Sequence, residues 1–183
     1  NARPCTERGK AMELAGKTAF VTGASGGIGS AICRALAAEG ADVAICFHSH
    51  QKAAMDVADE IQAMGRKAMT FKLDISDKDA VFNAIDMASV CLGDIDILVN
   101  NAGMTMTGRI EDISEQDWDR CMAINLKGPL FATQAVLPSM KRKKKGTIIN
   151  ISSLGAKIGG INAAACYSVS KAGLSCLTIQ TAK

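Results

Sequence analysis

Tyr167 and Lys171 stand four residues apart, so a helix brings a phenol and an amine to one face, about a turn from each other. A phenol titrating near pH ~10 is a poor base at neutral pH. An ammonium beside it favours the phenolate, and the two become a usable acid–base couple. Such a pair is common on amphipathic helices. Here Tyr167 is the only tyrosine of the chain, and the pair follows an apolar run ending in Ser152 and Ser153. Asn125 falls inside a long helical pattern, where asparagine is mildly unfavourable. Pro129 has no N–H for the carbonyl at 125, so the spacing predicts a kink with that carbonyl free for a water.

A second group of residues reads as an anion cradle. Thr22-Gly23-Ala24-Ser25-Gly26-Gly27-Ile28-Gly29 lies between an apolar run and a helical pattern. Gly23 can take positive φ in a tight turn, Gly27 lets the backbone approach a pyrophosphate, and Gly29 permits close helix–strand packing. The N–H groups that open the helix favour the anion. The spacing is GxxxGxG, and the GxxxxGK[ST] pattern of ATP and GTP loops is absent.

These groups need elements to hold them. Short apolar runs at 18–22, 42–47, 67–73, 95–99 and 147–151 read as strands. Between them lie helical patterns: Ile28, Ile32, Ala35 and Leu36 on one face, stopped by Gly40, then Ala54, Val57, Ala58 and Ile61, closed near Gly65. Further helices are expected at about 77–92 and 115–140, and from Tyr167 to the end. Strict alternation demands parallel strands with right-handed crossovers, hence a doubly wound α/β sheet of the Rossmann type, three layers deep. Asn1 to Lys10 is polar, and Met12 starts MELAGK before the first strand. Residues 1–11 therefore read as a non-native or disordered extension and 12–183 as one dinucleotide-binding domain.

Composition excludes several classes. With 48% hydrophobic and 21% charged residues the chain is neither disordered nor fibrous. It has no run of eighteen apolar residues to span a membrane as a helix. The net charge of +3 resides in Lys141, Arg142, Lys143, Lys144 and Lys145, so there is no distributed basic face for nucleic acid. That run is expected to be a solvated loop; the sharper alternative is a dock for an acidic carrier protein or a phosphorylated substrate. Seven cysteines without a CxxC pair give no metal site or disulfide framework and read as buried, reduced thiols of a cytoplasmic protein.

TGASGGIG, Asn100-Asn101-Ala102-Gly103 after the fourth strand, Asn125 in INLKG, and NISS followed by Tyr167-Ser-Val-Ser-Lys171 together resemble the short-chain dehydrogenase/reductase family, in the family's order from about residue 13 to the end. The resemblance implies hydride transfer between a nicotinamide and a carbonyl or alcohol. Tyr167 would give or take the proton, Ser153 would hold the substrate oxygen, with Ser152 the minor candidate, and Lys171 would bind the nicotinamide ribose. Asn125 would join a water-mediated relay to the lysine. The interval from Ser153 to Tyr167 is fourteen residues, one longer than the family pattern. Gly23, Ser25, Gly27, Ile28 and Gly29 would hold the pyrophosphate, Asn101, Ala102 and Gly103 the floor, and Asp74 with Ile75 the adenine edge. A helix cap is the bland alternative for Asp74.

About twenty residues past the glycine loop stands Phe47-His48-Ser49-His50, with no carboxylate to bond a free 2′-hydroxyl or repel a 2′-phosphate. This favours NADP(H) over NAD(H), with His48 and Ser49 as contacts. The Arg or Lys often found for the 2′-phosphate is absent, and Lys52 reads as a solvated helix lysine. Family members continue with two more strands and a substrate-covering loop, so the resemblance implies a C-terminally incomplete chain whose intact form is a homo-oligomer. The His48–Lys52 region and INLKG are most like 3-oxoacyl-acyl-carrier-protein reductases, with a small-molecule substrate, carrier-protein or CoA linked. A polyol, sugar or steroid alcohol dehydrogenase is the second reading, and a non-catalytic dinucleotide-binding or interaction module the third.

Overall fold

Apolar runs bounded by glycine or polar turns become strands where both faces can be covered. A computed structural model describes residues 12–160 and 164–183 and sets five such runs in one parallel sheet: β1 (Thr18–Val21), β2 (Asp42–Phe47), β3 (Ala68–Lys72), β4 (Ile97–Asn100) and β5 (Thr147–Asn150). Their order is β3-β2-β1-β4-β5. Between them lie the helices α1 (Gly27–Ala38), α2 (Gln51–Ala63), α3 (Lys78–Leu92), α4 (Glu115–Met122) and α5 (Gly128–Lys143). Short α6 (Gly155–Ile158) and α7 (Ala165–Thr181) follow β5.

Alternate strand residues enter two cores, as the two-residue period of a strand requires. Val21, Val43, Ile45 and Val99 pack beneath α1 and α2 with Cys33, Val57 and Ile61. Phe20, Phe71 and Leu98 point the other way, to Val81 and Ile85 of α3 and Val136 of α5. Three layers result, the doubly wound architecture expected. The chain builds outward through β2 and β3, then crosses back to lay β4 against β1. The loops leaving β1 and β4 therefore part company at one point, and a crevice opens there.

Several local expectations are corrected. The fourth strand runs 97–100; just before it the Asp96 N–H donates to the Thr18 carbonyl (2.9 Å) and its carbonyl accepts from the Thr147 N–H (2.9 Å), while its carboxylate accepts from the Thr18 N–H (3.2 Å) and meets Lys17 and Lys143. The helix expected over 115–140 is not continuous: Ala123–Lys127 is π-helical, and the Gly128 N–H reaches back five residues to the Ala123 carbonyl. Pro129 is the reason, since without its N–H the regular ladder cannot close over residue 125. The fourteen-residue interval holds the extra helical turn α6. The basic run is not a loop throughout: Lys141, Arg142 and Lys143 form the last turn of α5, where cations offset the helix dipole. Arg142 meets Asp94 (3.4 Å) and Lys143 meets Asp96 (3.1 Å).

Cys33, Cys46, Cys121 and Cys166 are buried, as expected, but Cys91 and Cys176 are exposed on α3 and α7. Burial pushes the Cys33 thiol up to about 12, so it is neutral. Cys5 and the extension expected over 1–11 lie outside the described residues. Among those residues no helix is long and apolar enough to cross a membrane.

Candidate active site

The crevice at the C-terminal ends of the strands is a cleft of about 390 Å³. Its floor begins with the turn from β1 into α1. Gly23 has φ 63°, and a Cβ there would stand 2.8 Å from the Ala102 Cα, so the loop lies flat on the end of β4 only because this residue has no side chain. Gly29 is packed as closely: a Cβ would run into the Gly23 carbonyl oxygen and the Asn101 amide. The Asn101 side chain donates to the Thr22 (2.9 Å) and Gly23 (3.0 Å) carbonyls. The Thr22 hydroxyl accepts from the N–H groups of Asn101 and Ala102, both at 3.0 Å. Loop and strand end are thus one rigid piece.

Of the residues singled out from sequence, Gly23, Ser25, Ala102 and Gly103 line the cleft, as do His48, Ser49, Asp74 and Ile75 across from them. Gly27, Ile28, Gly29 and Asn101 stand outside its walls; Asn101 braces the loop from behind, and Ile28 is exposed. Asp74 is not a helix cap, a place taken by Asp77, whose carboxylate accepts from the Ala80 N–H. Asp74 Oδ1 accepts from the Ser76 hydroxyl (2.7 Å) and N–H (2.9 Å). Those bonds hold its carboxyl below the usual range, helped by the charges of His48 and Arg120.

Arg120, Ala123 and Ile124 also line the cleft, as does Met104, and sequence reasoning missed them. The spacing of 120 and 124, one turn apart, was the signal available.

At the inner end the chemistry-bearing side chains converge. Lys171 is 4% exposed, and its Nζ donates to the Ile151 carbonyl at 2.7 Å. The same Nζ is 3.4 Å from where a Cβ on Gly103 would stand, so Gly103 joins the cleft to the amine. Burial pulls the Lys171 pKa down from the ordinary lysine value. Asn125 is fully buried: its Oδ1 accepts from the Met104 N–H (2.8 Å), and its Nδ2 donates to the Met104 carbonyl (2.9 Å) and the Ser170 hydroxyl (3.1 Å). At Asn125, where the spacing predicts a kink, the chain is π-helical, and the side chain is taken up in holding the loop after β4.

Tyr167 is half-buried in the first turns of α7, against the small cluster of Cys121, Ala164 and Cys166 that Met104 and Met106 also cover. Ser170 donates to its carbonyl at 2.7 Å. The two serines after β5 differ. Ser152 donates to the Lys171 carbonyl (3.1 Å) and meets the Ser175 hydroxyl (2.8 Å), tying strand to helix. Ser153 accepts from the Gly155 N–H (3.1 Å), which leaves its own proton to donate. The basic run lies by the N-terminal end of β5, at the opposite end of the strands from this cleft.

A model of the short chain dehydrogenase family matches residues 17–183. The short-chain dehydrogenase/reductase FrzI of Cladobotryum sp is 41% identical over 165 residues, 90% of this chain and 63% of that protein. The 3-oxoacyl-acyl-carrier-protein reductase FabG of Staphylococcus aureus is 38% identical over 167 residues, 91% of this chain and 68% of that one. Among solved structures, a blue fluorescent protein from a metagenomic library in complex with NADPH is 39% identical, with a TM-score of 0.83 over 90% of this chain and 66% of that one. The chain spans about two thirds of these relatives, and less than half of another, at 46%.

Proposed function

The chain belongs to the short-chain dehydrogenase family, and from that premise we propose that it forms the cofactor-binding and catalytic part, over residues 12–183, of a nicotinamide-dependent ketoreductase. The cleft fits a dinucleotide. The N-terminus of α1, two residues past Ser25 of the cleft wall, has no side-chain cap and no acid in its first turn, so its N–H groups are left for a pyrophosphate. Gly27, Ile28 and Gly29 open that helix, while Asp74 and Ile75 stand at the adenine end. The cofactor, when bound, supplies or removes the hydride at nicotinamide C4.

The observation that carries the reading is Lys171, a buried ammonium beside Gly103 at the cleft's inner end. Its amine holds the nicotinamide ribose and biases Tyr167, one helical turn away, towards proton exchange with the substrate oxygen. Ser153 donates its free proton to that oxygen. Asn125 acts as a positioning residue through Met104, and any relay through it runs by its main-chain carbonyl, since its amide is engaged. NADP(H) is preferred over NAD(H), because no carboxylate ends β2 and a relative is complexed with NADPH.

A 3-oxoacyl thioester is the favoured substrate on the strength of the reductase relative at 38% identity. The setting is a homo-oligomer in the cytoplasm, which suits unpaired cysteines. NADPH oxidation by the chain with an acetoacetyl thioester tests the reading: Tyr167→Phe should lower the rate by about 10²–10⁴-fold. NADPH binding with no turnover, unchanged in that variant, would favour the non-catalytic module. Turnover only with polyols or sterols would favour the alcohol dehydrogenase reading.

A further inference from the structure

Arg120 lines the cleft from the last turn of α4 and is exposed, and among the described residues its guanidinium makes no hydrogen bond and no ion pair. A cation in a last turn ordinarily offsets the helix dipole. Here the backbone runs on through the π-helical stretch into α5, whose own end carries Lys141, Arg142 and Lys143, so that role falls to them. The group that senses Arg120 is Asp74, in the loop after β3. Its carboxyl is held ionised first by the two bonds from Ser76, then by the charges of His48 and Arg120, and Arg120 does not pair with it. Both Ser76 bonds end on Oδ1, which leaves Asp74 Oδ2 open. Close packing fixes the two segments relative to each other. A Cβ on Gly128, at the start of α5, would stand 2.6 Å from Ile75 Cγ1 and 2.7 Å from the Ile75 carbonyl oxygen. Leu73, Ile75 and Ile124 share one core and give this part of the cleft apolar surface.

Taking the cleft as a dinucleotide site, as above, we propose that Arg120 is a cofactor-binding residue whose planar guanidinium lies on the face of the adenine ring, while the ring's amino group meets Asp74. A space bounded by a carboxylate, a guanidinium that does not reach it and apolar side chains suits a neutral, flat heterocycle with an N–H donor on its edge. Adenine has both features. Its amino group donates to the open Asp74 oxygen, and its π face takes the cation. A phosphate would be drawn by Arg120 but would stand against the Asp74 carboxylate, so Arg120 does not read a 2′-phosphate. The contact therefore strengthens NADPH and NADH alike. It also needs the plane as well as the charge, because a lysine ammonium is a compact, strongly hydrated point charge that cannot stack.

The experiment is a fluorescence titration with NADPH and with NADH, and calorimetry with ADP-ribose, on the parent chain, Arg120→Ala and Arg120→Lys at constant ionic strength. Arg120 is exposed and unbonded, so both variants should fold as the parent does. Arg120→Ala should weaken all three ligands about fivefold or more, with the ratio of the NADH to the NADPH dissociation constant within about twofold of the parent's. Arg120→Lys should recover little of the loss. ADP-ribose carries the adenine without the nicotinamide, so a loss confined to the intact dinucleotides would overturn the proposal. A loss for NADPH alone, full recovery in Arg120→Lys, or no loss in Arg120→Ala would overturn it too. Failure of the parent chain to bind any of the three would instead overturn the cofactor reading of the cleft, and this inference with it.

Discussion

Asn125 does with one side chain what an edge strand does with its backbone, accepting from the Met104 N–H and donating to the Met104 carbonyl. Truncation to alanine would leave both groups without those bonds, so Asn125→Ala should lose about 1–3 kcal/mol in urea unfolding. A loss within noise would mean that the loop after β4 is held by other contacts. Lys171 contributes in the other direction. Its proton is bound less tightly in the folded chain than in the unfolded one, because burial disfavours the charge. Between the depressed value and the ordinary 10.5 the unfolded state holds more protons, so the stability contributed at this position rises with pH and is least below that window. Cys33, pushed up to about 12, and Cys121, up to about 11, act in the opposite sense, so the comparison must be with Lys171→Met. The melting temperature of the parent chain relative to that variant should climb as pH approaches the ordinary lysine value; a flat difference would contradict it.

At the level of elements, the turn from β1 into α1 separates glycines required by geometry from one that is not. Gly26 is extended, with φ −177°, and nothing lies within 4 Å of a Cβ placed on it. Gly29 has the Gly23 carbonyl and the Ala24 Cα in the way. Gly26→Ala should leave stability within about 0.5 kcal/mol, while Gly29→Ala should cost about 1–3 kcal/mol as overpacking and weaken NADPH binding. Equal effects in paired denaturation and fluorescence titrations would show that the close packing does not shape the cradle. The π-helical stretch between α4 and α5 is the other element with a clear purpose. It turns Ala123 and Ile124 to the cleft while Asn125 faces Met104 and Ser170.

For the whole molecule, β5 is, with β3, one of the two edges of the sheet. It pairs with β4 alone among the described strands, and Ile149 is 42% exposed on it, with Leu154 and Ile158 exposed in the segment that follows. Unpaired strand edges with apolar side chains template association. Light scattering should show concentration-dependent self-association of the chain, reduced by Ile149→Lys; scattering unchanged by that substitution would locate the contact elsewhere. Across the molecule, the alternation of strands and helices, the glycine turn and the placing of Tyr167 and Lys171 on one helix could all be read from the sequence. Each follows from periodicity or local sterics over a few residues. The sequence did not reveal that Ser152 is engaged by α7 while Ser153 is not, that Asn101 and Asn125 act as braces, that Arg120 lines the same cleft as His48, or that the basic run lies at the other end of the strands from the cleft. Those outcomes depend on which segments, tens of residues apart, are brought together by sheet order and crossover, and a repeat of two or 3.6 residues carries no information about that.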